Sequence, residues 1–196
     1  MAKKKGIKKK GILDKACAYL SGPMEFAAGH GIEWRRKFIK LSKEAGLKLD
    51  IIDPTDKPGG QEVKIDEDKK YQLKLKKEGK WKDLKKYVKK YRRYDLRYVD
   101  YSDFLVVVVD PRIPQWGTAN EVYVAESLHR PIFFICDGGM ENMPNWLFAV
   151  IDIKPRCNVF SSVEEVIKEL CGIDDGSIPV SDEWVLIRKH IEDSRN

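Results

Sequence analysis

The stretch FLVVVVD, residues 104–110, constrains the fold of this chain more than any other. Its six apolar residues run without the alternation expected of a strand that has one wet face. Valine and phenylalanine favour extended backbone. A strand that is apolar at every position has to be covered on both sides, as in a parallel sheet layered between helices. The next residues agree: a loop, DPRIPQWG, then a helical pattern over 118–129 with Val122, Ala125 and Leu128 on one face, then PIFFIC, a second uninterrupted apolar run. The spacing predicts a β–loop–α–β unit.

The same grammar extends in both directions. ACAYLSGP (16–23) is a first strand ending in a turn, and MEFAAGHG is the loop after it. A helix is expected over 32–45, where Trp34, Phe38, Leu41 and Ala45 share a face and Gly46 closes the C-terminus. KLDIIDP is a second strand, stopped by Pro54, and 55–63 is a loop holding Pro58, Gly59 and Gly60. A Lys-rich segment continues as helix to Tyr101. After PIFFIC come a short fifth strand, CNVF, and SSVEEVIKELCG, a helix capped by Ser161 or Ser162 with Val163, Val166, Ile167 and Leu170 as its apolar stripe. A last amphipathic helix over 181–193 is expected to dock on the core or on a partner subunit. Strands alternating with helices specify an α/β, doubly wound sheet of about five parallel strands. Residues 1–14 are expected to be a basic disordered tail, and 15–196 a single domain in which 64–93 is a Lys-rich helical insertion.

Charge and composition narrow the functional classes. The formal net charge of +6 is concentrated in the tail and in residues 64–93. Such a run is either a solvated helical face or an attraction for phosphate-bearing ligands or nucleic acid. Cys17, Cys136, Cys157 and Cys171 show no CxxC spacing, which suits reduced thiols rather than a disulfide frame or zinc site. His30, His129 and His190 are far apart, so no metal site is expected. No run approaches the roughly 20 apolar residues of a membrane span, and no apolar signal-peptide core follows the basic N-terminus. A cytoplasmic protein without membrane contact is the expectation.

No GxGxxG fingerprint, phosphate-binding GxxxxGK[ST] loop or GxSxG elbow is present, and no cofactor is expected. What recurs near the predicted strand ends is carboxylate: Asp53, Asp95, Asp103, Asp110 and Glu121. Ligands of doubly wound sheets bind beyond the carboxyl ends of the strands, where the loops 21–31, 53–63 and 110–118 converge. Paired carboxylates suit substitution at an anomeric carbon, one attacking while the other manages the leaving group's proton. Glu121, at the mouth of the β–loop–α–β unit, is either such a nucleophile or a charge favoured by the helix dipole. The residue pattern alone leaves both open.

YLSGPM near the N-terminus, YDLRYVDYSDFLVVVVD in the middle and GTANEVYVAESLHRPIFF after it resemble, in order and spacing, the nucleoside 2-deoxyribosyltransferase superfamily over about residues 16–171. The resemblance implies a flavodoxin-like fold and an enzyme that breaks or exchanges the N-glycosidic bond of nucleosides or their 5′-monophosphates. It implies Glu121 as nucleophile, Asp95 as the acid/base and Tyr19 as hydrogen-bond partner of the nucleophilic carboxylate. Gly22, Pro23, Met24, Gly117 and Thr118 are expected to border the substrate, with the 117–118 pair making a side-chain-poor turn. Trp116 either stacks on a base or sugar or only covers the loop. Asp103 is counted with the substrate-binding residues, although an anchoring role suits its place at the strand start. Asn142 matches an asparagine that reaches a neighbouring subunit's sugar site, which implies a homodimer or larger assembly. Six residues before the glutamate, transferases carry an aspartate and the related nucleotide hydrolases a small hydroxyl residue. Here it is Gln115, which donates to a sugar hydroxyl or to a phosphate. Deoxyribosyl transfer is the leading reading, followed by a 5′-monophosphate N-glycosidase and then by a non-catalytic nucleotide- or nucleic-acid-binding module.

Overall fold

The computed structural model describes residues 10–57, 61–62, 65–153 and 158–180. Five parallel strands form the sheet in the order β2-β1-β5-β6-β7: β1 Cys17–Ser21, β2 Asp50–Ile52, β5 Phe104–Val109, β6 Ile132–Cys136 and β7 Val159–Phe160. The expected α/β doubly wound architecture is present, with the strand order of a flavodoxin-like sheet. The 55–63 region is more than a loop: Asp56–Lys57 (β3) and Gln61–Glu62 (β4) pair antiparallel.

Alternation along the strands explains why they are apolar throughout. On β5, Phe104 and Val106 enter one core while Leu105, Val107 and Val109 enter the other. On β6, Phe133 and Ile135 oppose Ile132, Phe134 and Cys136 in the same way. The first core is closed by Phe38 of α1 (Ile32–Glu44) and by Val166, Ile167 and Leu170 of α5 (Val163–Asp175). The second is closed by Val99 of α3 (Trp81–Tyr101) and by Val122 and Ala125 of α4 (Trp116–Ser127). α2 (Ile65–Lys77) lies against α3 and completes the Lys-rich hairpin. α3 runs unbroken past residue 93, so the insertion has no structural boundary there. Cys17 and Cys136 are buried, Cys171 is half-buried, and none of the three is in a disulfide among the described residues.

Residues 10–14, expected within the disordered tail, are ordered against the domain. Leu13 is fully buried, and its N–H donates to Asp174 Oδ1 at 2.8 Å, so residues 10–14 dock against the end of α5. Apolar Ile12 and Leu13 end the basic run, and burial of Leu13 outweighs the tail's composition. Ser162 is the cap of α5, its hydroxyl accepting from the Glu165 N–H. The helix expected over 181–193, the start of the tail and Cys157 lie outside the described residues. Among the described residues no helix is long and apolar enough to cross a membrane.

Candidate active site

The sheet reverses direction of winding between β1 and β5, and a cleft of about 170 Å³ opens beyond the carboxyl ends of these two strands. Successive side chains of a strand point to opposite faces. Tyr19 and Ser21, two apart on β1, therefore face the α4 side together. α4 begins at Trp116, two residues before the expected start, which places Glu121 one and a half turns in, facing β1. Both its oxygens are held: Tyr19 OH donates to Oε1 at 3.0 Å and Ser21 Oγ donates to Oε2. Glu121 is 9% exposed. A glutamate this deep is not the surface charge that a helix dipole favours.

Burial pushes the Glu121 carboxyl up to about 7; the Ser21 hydrogen bond pulls it down, the charge of Asp95 raises it, and Tyr19 and Arg35 lower it again. Desolvation disfavours the ionised form, and hydroxyls that donate to it favour it. The balance leaves Glu121 divided between acid and carboxylate near neutral pH. Tyr19, buried in the same core, is raised well above the ordinary phenol range, first by burial and then by the Glu121 charge. Its proton stays in place to serve as a donor.

Asp95 comes from the last third of α3 and lines the cleft with Glu121. Its electrostatic effect on both Glu121 and Tyr19 puts the second carboxylate beside the first. The loop after β1 supplies Gly22, Pro23 and Met24 to the wall. A side chain at Gly22 would come within 2.9 Å of Trp34 Cζ2 and 3.3 Å of Val108 Cβ. The following loop passes through left-handed backbone at Gly31, φ +67°, where a Cβ would lie 2.5 Å from the Pro23 carbonyl oxygen.

The sequence reading missed Ser21 and Arg35. Arg35 is fully buried. Its guanidinium donates to the carbonyls of Leu20 (3.3 Å), Gly22 (3.1 Å), Gly31 (2.9 Å) and His30 (3.5 Å), and Nε lies 3.5 Å from Asp53 Oδ1. Burial lowers its pKa and the Asp53 charge opposes that shift. Asp53 also accepts from the N–H and hydroxyl of Thr55 at 2.8 and 2.6 Å. One guanidinium thus ties the carboxyl ends of β1 and β2 to the loop that walls the cleft. Phe26, which the sequence also left unassigned, lines the mouth and is 53% exposed.

Gln115, Trp116, Gly117 and Thr118 all border the cleft. Gly117 and Thr118 lie in the first turn of α4 rather than in a turn before it. A Cβ at Gly117 would meet nothing within 4 Å, so the missing side chain leaves open space. Trp116 is 84% exposed. Gln115 Nε2 donates to the Asp110 carbonyl at 2.6 Å, and its buried Oε1 is an acceptor without a partner among the described residues. The Asp110 carboxylate is taken by Arg112, with contacts of 2.7 and 2.9 Å.

Asp103, expected among the substrate residues, and Asn142, expected to reach a neighbouring subunit's site, lie outside this cleft. Asp103 precedes β5 at the amino end of the sheet, opposite the cleft; its Oδ2 accepts the Cys17 N–H at 2.7 Å while its own N–H donates to the Cys17 carbonyl. It is a buried anchor between the starts of β1 and β5. Asn142 sits in a 3-10 turn after β6, donates to the Asp137 carbonyl at 2.7 Å, and does not line its own chain's cleft.

No protein-family model and no curated protein sequence matches this chain. Among solved structures, it is similar to a 2-deoxyribosyltransferase from Bacillus psychrosaccharolyticus, at 14% identity and TM-score 0.40, over 62% of this chain and 72% of that one. It is also similar to a conserved protein from Enterococcus faecalis V583, at 17% identity and TM-score 0.44, over 80% of this chain and 97% of that one. These are distant likenesses of fold.

Proposed function

We propose that this chain is an enzyme acting on the N-glycosidic bond of nucleosides, transferring 2-deoxyribose between bases through a glycosyl ester on Glu121. The observation that carries the reading is a buried carboxylate at the carboxyl edge of the sheet, held on both oxygens by Tyr19 and Ser21, with the second carboxylate, Asp95, in the same cleft. Each Glu121 oxygen keeps a lone pair beyond its hydrogen bond. One attacks C1′ as the C1′–N bond breaks, and the electron pair of that bond leaves with the base, protonated by Asp95. A second base then attacks C1′, returns its proton to Asp95 and frees the glutamate; water in its place gives hydrolysis.

The cleft's dimensions fit the sugar. Pockets that enclose a whole ligand run to roughly 300–1,000 Å³, and this one holds about 170 Å³. A pentose occupies it and leaves the base at the mouth, where Phe26 and Trp116 offer aromatic faces.

Two features favour a nucleoside over its 5′-monophosphate. Arg35, the cation among the described lining residues, already donates to four carbonyls and faces Asp53. The unpartnered Gln115 Oε1 seeks a donor, which a hydroxyl provides and a phosphate dianion does not. Incubation with a deoxynucleoside and a second free base, read by chromatography, tests the reaction: a new nucleoside means transfer, and free base with free sugar means hydrolysis. A 2-fluoro-2-deoxy sugar substrate is expected to leave a mass increment on the peptide holding Glu121. Glu121→Gln is expected to abolish turnover, and near-normal turnover by that variant would refute the assignment.

A further inference from the structure

The α2–α3 hairpin carries more positive charge than the whole chain does. Residues 65–101 hold fourteen Lys and Arg against seven Asp and Glu, net +7, beside +6 for all 196 residues. On α3 this charge is sorted by face. At 3.6 residues per turn, Lys82, Lys85, Lys86, Lys89, Lys90, Arg92, Arg93 and Arg97 fall within a sector of about 160°, and all eight are exposed. Asp100 is the acid inside that sector, while Asp95 points to the other side, into the cleft. Among the described residues none of the eight forms an ion pair; Arg92 donates to Asn120. Cations on other surfaces do pair, as Lys37 does with Glu164 and Lys40 with Glu44.

We infer that this face of α3 docks on the phosphate backbone of duplex nucleic acid. Lys82, Lys86, Lys89, Arg93 and Arg97 descend the helix at three- and four-residue steps, one cation per turn or about 5–6 Å. The 21-residue helix is about 31 Å long, a rigid rod of charge spanning about nine base pairs. Exposed Trp81, Val88, Tyr94 and Tyr101 lie outside the basic sector, so it lacks the aromatic platforms on which single-stranded bases stack. Nor does it present the apolar face that an interfacial helix sinks into a bilayer; the apolar side of α3 packs against α4, α2 and β1. A row of point charges without base-reading amides binds backbone in a sequence-independent, salt-dependent way. Because cleft and basic row occupy different sides of one helix, both can be filled together. The inference does not depend on the reaction in the cleft.

The test is fluorescence anisotropy of labelled DNA and RNA duplexes of about 20 base pairs, roughly twice the footprint, titrated with the full chain at several salt concentrations. Five phosphate contacts give a log–log salt slope near −4.5, a loss of about 500-fold in affinity between 50 and 200 mM salt. Lys86→Ala/Lys89→Ala/Arg93→Ala/Arg97→Ala, checked for folding by circular dichroism, is expected to bring the slope close to −1. Removing as many cations from α1, on the other side of the sheet (Arg36, Lys37, Lys40 and Lys43 to Ala), is expected to leave the slope nearly unchanged. Equal losses in the two variants, or an unchanged slope in the α3 variant, would overturn the inference. So would α3-dependent binding to anionic phospholipid vesicles with none to duplexes.

Discussion

Glu121→Gln should make the protein more stable while removing the carboxylate proposed as nucleophile, and the gain should depend on pH. In the folded chain the Glu121 carboxyl lies at about 7, against an ordinary value of 4.5. The folded state therefore binds that proton more tightly than the unfolded state does. Between pH 4.5 and 7 the native protein holds more protons, so stability falls as pH rises through this window and is flat on either side of it. The gap, at about 1.4 kcal/mol per pH unit, comes to about 3 kcal/mol lost by about pH 8. Glutamine does not titrate and escapes that loss. The stability difference between variant and parent should grow by about 3 kcal/mol from below about pH 4.5 to about pH 8, or about 6–12 °C in Tm for a chain of this size. Scanning calorimetry of both proteins across that range measures it, and other titrating groups cancel in the difference. A difference constant with pH would refute the reasoning, because Glu121 would then not be a buried group that retains its proton to about pH 7.

Three other substitutions separate the roles of individual side chains. Ser21→Ala removes a hydrogen bond to a charged acceptor, about 1.5–3 kcal/mol, and should raise the Glu121 pKa by about one to two pH units; the acid limb of kcat/KM moves up by that amount, whereas a loss equal at all pH values would contradict it. Gly117→Ala meets no atom within 4 Å, so the helix should gain roughly 0.5–1 kcal/mol while KM rises about fivefold or more; an unchanged KM would mean that no sugar passes over the first turn of α4. Asp103→Ala strands the buried Cys17 N–H and should cost about 1–3 kcal/mol, seen in urea titration, with kcat/KM of the folded protein unaffected.

The parts of this molecule that were legible in the sequence are those where one force dominates. The uninterrupted apolar runs of β5 and β6 record burial on both faces, and that alone specifies a covered parallel sheet. Glu121 and Asp95, which meet at the cleft, stand out as carboxylates near strand ends, and only the resemblance separates them from the other carboxylates and adds Tyr19. Asp103 was counted with the substrate residues although its place at the start of a strand already suited an anchor. Residues that begin a parallel strand lie at the amino edge, and those that come after it lie at the carboxyl edge, where ligands bind. Asp103 comes immediately before β5 and Asp53 and Asp110 immediately after β2 and β5, so chain direction alone separates the anchor from the rim. The docking of Leu13 was hidden for a different reason: the six lysines before Asp14 set the average of that segment, and one buried leucine outweighs them locally.

Ser21 and Arg35 were missed although each breaks a pattern. Ser21 is the polar end of a strand that is buried throughout and weakly polar at most elsewhere, two residues from Tyr19 on the same face. Arg35 stands three residues before Phe38 and seven before Ser42, on the stripe of α1 that faces the sheet. A lone cation on an apolar stripe must be paired or hydrogen-bonded to be tolerated, and the acceptors it finds are the carbonyls left free where β1 ends. The cost of burying that charge is offset only if those carbonyls and Asp53 hold still. The guanidinium therefore does for the loop what Tyr19 and Ser21 do for the carboxylate, fixing the wall against which a sugar would be turned toward Glu121. Both residues act by holding a group in place, and the sequence signal for that role is the interruption of an apolar period, not a motif.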